Sequence, residues 1–196
     1  MMSLLYKTRA QRADTFGRTE ADGTPPLPFT RPAMPNRTRV SLYIAFLVSL
    51  AVWVGGGVFD TISSHPAWHA NPVAHVRTVT PPPGFVNPWP FTTAVLALLT
   101  LACMAAFARY RGDGRREVLL VLAGVFAILL ATGLYFVPNL IRLEGHAALS
   151  DAQITSISLS WIRLNVARII VVLGLLVYGL VGLMRLGAAR PHPARD

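Results

Sequence analysis

Cysteine occurs once in the 196 residues, at Cys103. No internal disulfide is therefore possible. Charge is scarce at 14% of the chain, and acids are scarcer still, with 9 Asp and Glu against 18 Lys and Arg. A soluble domain of this size needs more polar surface than that to cover itself. There is no Gly-rich phosphate loop, no nucleophile elbow and no internal repeat. None of the 5 histidines falls within a long apolar run, which excludes a pair of axial haem ligands buried among helices. The first 38 residues contain no apolar h-region, so no cleavable signal peptide is expected. They are rich in Arg, Pro, Thr and Gly and are expected to lack fixed structure.

What remains is apolar. Hydrophobic residues make up 53% of the chain, and the mean hydropathy is +0.49. Four runs carry most of it, at about 40–62, 91–108, 118–137 and 161–186. Each is close to the ~20 residues that cross ~30 Å of hydrocarbon. In lipid the backbone must satisfy its own hydrogen bonds within the segment, so each run predicts a helix. The fold class expected is all-α: a four-transmembrane-helix bundle over residues 39–187, between a basic N-terminal arm and a short tail at 188–196. The first run is expected to serve as the insertion signal.

The net charge of +9 follows topology. Lys7, Arg9, Arg12, Arg18, Arg31, Arg37 and Arg39 precede the first run, and Arg109, Arg111, Arg115 and Arg116 fill the short second connection. The tail adds Arg185, Arg190 and Arg195, whereas the first and third connections hold only Arg77 and Arg142. This positive-inside bias predicts both termini cytoplasmic in a multi-pass plasma-membrane protein. Lipid is then the expected partner, and nucleic acid is not.

Local signals set the packing expected. Gly55, Gly56 and Gly57 weaken the first helix but permit close approach, and Ala123, Ala127 and Ala131 form a small-residue stripe suited to helix contact. Pro138 predicts the end of the third helix. Ser150 and Gln153 match a capping box, so the fourth helix is expected to start near Ser150 and outrun the bilayer. The Pro/His/Trp-rich first outer loop, about 28 residues, should resist regular structure yet lie as an ordered cover on the outer bundle end.

Two groups of residues offer chemistry. Trp161, Asn165, Arg168 and Val172 fall at i, i+4, i+7 and i+11, one helical stripe. Asp60 is the one acid inside an apolar run, on the same side of the membrane. The expectation is that Arg168 and Asp60 pair across the bundle, with Asn165 adding a hydrogen bond. Such a pair serves packing or a site; a snorkelling Arg168 is the third reading. The second group is His65, His69, His75 and His146, all in outward loops. They match no metal motif, and no metal is expected. The inner halves of the runs are too apolar for a transport path.

Four motifs, in order, carry a resemblance: Phe59-Asp60, then Pro66-Ala67-Trp68 with Asn71-Pro72, then Phe136 to Asn139, then Trp161, Asn165 and Arg168. Over about residues 40–186 the chain resembles the anthrone-oxygenase-like family of small four-helix membrane proteins, whose members more often carry Glu where Asp60 stands. The resemblance implies a cofactor-free oxygenase that converts an anthrone to an anthraquinone without metal or flavin. His69 or Asp60 would be the base, and Arg168 and Asn165 would stabilise the oxyanion. Trp68, Asn139 and Trp161 would hold a flat lipophilic substrate. The competing expectation is a non-enzymatic scaffold or accessory subunit, partnered by itself or by another membrane protein. The two differ in whether the Arg168 stripe lines a cavity or packs solid.

Overall fold

The computed structural model describes residues 34, 36–78 and 87–188. The expectations for the N-terminal arm before Met34, for 79–86 in the first loop and for most of the tail lie outside them. Among the described residues every regular element is helical. Four helices are long and apolar enough to cross a membrane. They are α1 (Asn36–Ser63), α4 (Trp89–Phe107), α5 (Arg115–Ala131), which continues through a π-helical turn (Thr132–Phe136) into α6 (Val137–Glu144), and α7 (Asp151–Ala188). Two short helices, α2 (His65–Ala70) and α3 (Pro72–Thr78), belong to the first loop. Asn36, Arg37 and Thr38, expected in the unstructured arm, are the first turn of α1.

The long helices pack in a square. α1 contacts α4, α4 contacts α5, α5 contacts α7, and α7 closes on α1. The sequence makes this possible by giving each helix an inward stripe at helical spacing. In α1 it is Tyr43, Phe46, Leu47, Leu50, Trp53, Val54 and Gly57. The outward faces are equally apolar, with Ile44, Val48, Val52, Phe59 and Ile62 exposed on the same helix. Apolar residues on every face are the mark of a helix meant for lipid. At Gly179 a Cβ would stand 2.7 Å from Leu47 Cδ2. The missing side chain lets α7 close on α1, and Tyr43 Oη donates to the Gly179 carbonyl at 3.2 Å.

Several expectations need correction. Ala123, Ala127 and Ala131 are exposed. The face of α5 that packs is instead Val118, Val121, Leu122 and Val125. Pro138 does not end its helix: the chain stays helical to Glu144, after widening into the π-turn just before the proline. A proline lacks an N–H and crowds the carbonyl four residues back, and a π-bulge absorbs that mismatch. The first loop is not irregular where it is described. Pro66 and Pro72 sit in the first turns of α2 and α3, where a missing N–H costs nothing. Asn71 Oδ1 caps α3 by accepting from Ala74 N at 3.1 Å.

The triple glycine admits side chains and not a neighbouring backbone: Trp89 lies opposite Gly56, Ile169 lies opposite Gly57, and Gly55 faces open space. Other expectations hold. Ser150 and Gln153 make the reciprocal cap, with Gln153 Oε1 accepting from Ser150 N at 2.9 Å and Ser150 Oγ accepting from Gln153 N at 3.3 Å. The 38 residues of α7 extend for about 57 Å at ~1.5 Å each, well past ~30 Å of hydrocarbon. Its extra turns form a second core with the first loop and α6: Trp68, Phe136, Leu143, Ile154, Trp161 and Ile162. The bundle thus has a covered end, under α2, α3 and α6, and an arginine end at the α4–α5 turn.

Candidate functional site

The site lies at the junction of the membrane core and the covering core. Ser158, Trp161, Asn165 and Arg168 follow one another down the buried stripe of α7, and Arg163 on the same helix is exposed. Among the described residues Arg168 pairs with no carboxylate. Its Nη1 donates to Thr132 Oγ1 at 3.1 Å, and its Nη2 donates to Asn165 Oδ1. The guanidinium carbon lies 4.3 Å from the Phe136 ring centre and 4.9 Å from that of Trp53. Two π-systems thereby stabilise the cation. Thr132 Oγ1 spends its own proton on the Ile128 carbonyl at 2.8 Å, leaving a lone pair for the arginine. Thr132 and Phe136 bound the π-turn, so the irregularity before Pro138 aims the groups that hold Arg168.

The Asp60–Arg168 pair does not form. The Asp60 carboxylate accepts from Ser64 Oγ at 3.1 Å, within its own chain segment. The guanidinium lies against Trp53. Asp60 is seven residues further along α1, about 10 Å of helix axis, which is too far for an ion pair. The buried acid that does pair is Glu117 at the arginine end, 6% exposed and bound to Arg185.

Histidine enters where it was not expected. His69 is exposed and stands away from the site, whereas His65 is only 4% exposed. Asn165 Nδ2 lies 3.4 Å from His65 Nε2. Arginine can only donate, so the Asn165 atom that it meets must be the oxygen. The amide nitrogen then faces His65, and Nε2 must offer its lone pair. His65 is therefore a neutral imidazole with its proton on Nδ1. Its pKa agrees: burial pushes it below the usual histidine value, the Arg168 charge lowers it further, and the Asp60 charge opposes both. His75 is likewise lowered by burial.

Aromatic rings close the site. Trp68 and Trp161 lie 5.0 Å apart between ring centres, and His75 stacks on Trp68 at 5.3 Å. Trp161 Nε1 donates to the Phe136 carbonyl at 3.3 Å. Of the substrate residues expected, Trp68 and Trp161 come together. Asn139 does not join them; its Nδ2 donates to the Tyr135 carbonyl at 2.9 Å, one turn back on its own helix. Among the described residues no three His, Cys, Asp or Glu side chains converge to hold a metal.

Four buried side-chain atoms in the described residues have no hydrogen-bond partner there: Arg168 Nε, His65 Nδ1, Trp68 Nε1 and Ser158 Oγ. All four belong to this cluster. Given the tautomer of His65, the first three are N–H donors, so the site has donors in surplus and acceptors in deficit. Sequence reasoning missed Trp53 and Thr132, and it named His65 among the loop histidines without placing it beside Asn165. A signal for His65 was present: it lies three residues before Trp68, on the face that a buried tryptophan would mark.

No protein-family model, curated protein sequence or solved structure matches this chain.

Proposed function

We propose that the covered end of this bundle binds a flat, weakly acidic aromatic molecule drawn from the membrane, and that the protein is a cofactor-free oxygenase of the anthrone-oxygenase-like kind. One observation carries the reading: a guanidinium with no carboxylate, set among buried N–H donors that have nothing to donate to. Such a surplus suits an oxygen anion and suits a structural ion pair poorly. In the proposed orientation both termini and the arginine end face the cytoplasm, and the site lies at the outer end.

The chemistry then needs no cofactor. An anthrone and dioxygen give an anthraquinone and water. A base removes a benzylic proton, and the electron pair left behind reduces dioxygen as the new C–O bond forms. Loss of the second proton breaks the O–O bond and releases hydroxide, which leaves as water. His65 takes the place assigned to His69: as the Asn165 N–H turns from His65 Nε2 to the enolate oxygen, the lone pair it held is released to act as the base. Arg168 and Asn165 bear the enolate oxygen, and Trp68 and Trp161, in contact with each other, offer one aromatic wall to the substrate ring.

The test is oxygen uptake by the purified full chain given an anthrone, with a chelator present. Uptake should exceed autoxidation and fall on the order of a hundredfold in Arg168→Met, the scale for losing one oxyanion donor. Uptake at the autoxidation rate, or equal uptake by the variant, would remove the oxygenase reading. A scaffold is the second reading. It is favoured by the way Arg168 touches Trp53 of α1 and both ends of the π-turn, joining three helices at one point.

A further inference from the structure

The arginine end poses a separate problem. Arg109, Arg111, Arg115 and Arg116 crowd into the turn between α4 and α5, and all four are exposed. Ala108, Arg109, Arg111 and Arg115 line an open basin of about 640 Å³. Asp113, exposed in the same turn, offsets one of the four charges and leaves a net excess of three, and among the described residues it forms no ion pair with them. The ion pairs among the described residues are Arg77–Asp151 and Arg185–Glu117, and neither includes a turn arginine. Arg39, the neighbouring cation, is spent on the Ala106 carbonyl at 3.2 Å and on the Tyr110 ring. Arg115 Nη2 donates to the Ala108 carbonyl at 3.4 Å, which holds its side chain at the basin and leaves its other N–H groups free to donate.

The backbone adds charge of the same sign. α5 begins at Arg115, after Gly114 in the left-handed conformation at φ 75, and no side chain caps its first turn. The first amides of a helix carry a partial positive charge and favour an anion. Towards the middle of the bundle the same two helices expose Leu98, Leu101 and Leu120. An anion that settled in this basin would therefore have apolar surface running away from it along the spans.

We propose that the basin binds the phosphodiester headgroup of an anionic phospholipid, whose acyl chains lie along the exposed flanks of α4 and α5. Guanidinium forks match phosphate oxygens in pairs. A zwitterionic headgroup brings its own cation and loses most of the attraction. This inference is independent of the oxidation chemistry at the covered end.

Native mass spectrometry of the full chain in detergent tests it, with phosphatidylglycerol, phosphatidylcholine and inorganic phosphate as probes. Phosphatidylglycerol should be retained well above phosphatidylcholine. Retention should fall about 30-fold in R109Q/R111Q, as juxtamembrane arginines near anionic lipid imply, and should recover only in part in R109K/R111K, which restores the charge without the fork. The tail variant R190Q/R195Q loses the same charge and should bind normally. Both turn residues are exposed, so the variants should keep their helical circular dichroism. Equal retention of the two lipids, equal losses in the turn and tail variants, or competition by millimolar inorganic phosphate would each overturn the lipid assignment.

Discussion

Arg168→Met separates a site from a brace, because the two roles predict different stabilities. Methionine keeps the length and the apolar stem. It gives up two cation–π contacts, worth about 1 kcal/mol each, and both hydrogen bonds made by the guanidinium. Thr132 loses little, since its hydroxyl keeps its bond to the Ile128 carbonyl. Asn165 Oδ1 is left without its donor in a residue 2% exposed, a penalty of about 1–3 kcal/mol. Against this, the variant no longer buries an unpaired ion, which recovers several kcal/mol. No carboxylate is stranded, so the usual large cost of breaking a buried pair does not arise. The two sides nearly cancel, leaving a net loss of about 0–2 kcal/mol. At roughly 2–4 °C per kcal/mol for a chain of this size, Tm should fall by no more than about 8 °C. Thermal unfolding in detergent, followed by circular dichroism, reads it directly. A fall beyond about 12 °C would refute the reasoning: Arg168 would then be a brace across α1, α5 and α7, and the scaffold reading would gain.

Asp60→Asn should shift Tm by less than about 2 °C, because the carboxylate meets only Ser64 Oγ within its own segment and partly exposed polar contacts are worth little; a loss as large as a broken buried pair would restore Asp60 as the partner of Arg168. Stability should fall as pH drops below about 6.5, because His65 and His75 resist protonation in the folded chain while the unfolded chain takes up protons at the ordinary value. A thermal series from neutral to acid pH reads this slope, which His65→Asn should flatten; a slope of the opposite sign would contradict the buried neutral imidazole. Gly179→Val should cost about 1–3 kcal/mol by overpacking, since even a Cβ would stand 2.7 Å from Leu47 Cδ2. An unchanged Tm for that variant would mean that α1 and α7 do not close there.

The four spans were legible because their signal is a sum over about twenty residues, and no single contact can overturn it. The cap at Ser150 and Gln153 was legible for the opposite reason: it is wholly local. Errors fall between these scales. Pro66 and Pro72 read as breakers, yet a proline is neutral in a helix's first turn, and position within an element is not visible before its ends are known. The alanine stripe of α5 read as an interface because small residues permit contact. They do not require it, and the longer side chains Val118, Val121, Leu122 and Val125 took the inward face instead.

The error at Arg168 concerns the physics of a buried cation. Pairing by sign and approximate depth selects Asp60, since it is the one acid inside an apolar run and lies towards the same bundle end. Depth inferred from span ends carries an error of a turn or two, and two turns of helix axis, about 11 Å, exceed the reach of an ion pair. A guanidinium also has ways to be satisfied that carry no formal charge: ring faces, a hydroxyl lone pair and an amide oxygen. Here Trp53, Phe136, Thr132 and Asn165 supply all of these. The consequence reaches past packing. Because the arginine only donates, it orients the Asn165 amide. The amide in turn fixes the His65 proton on Nδ1, and the chain of hydrogen bonds ends on a donor without an acceptor. An aspartate in place of any of these partners would have neutralised the charge. The neutral partners are what leave the covered end electropositive and short of acceptors, the condition that an oxyanion would meet.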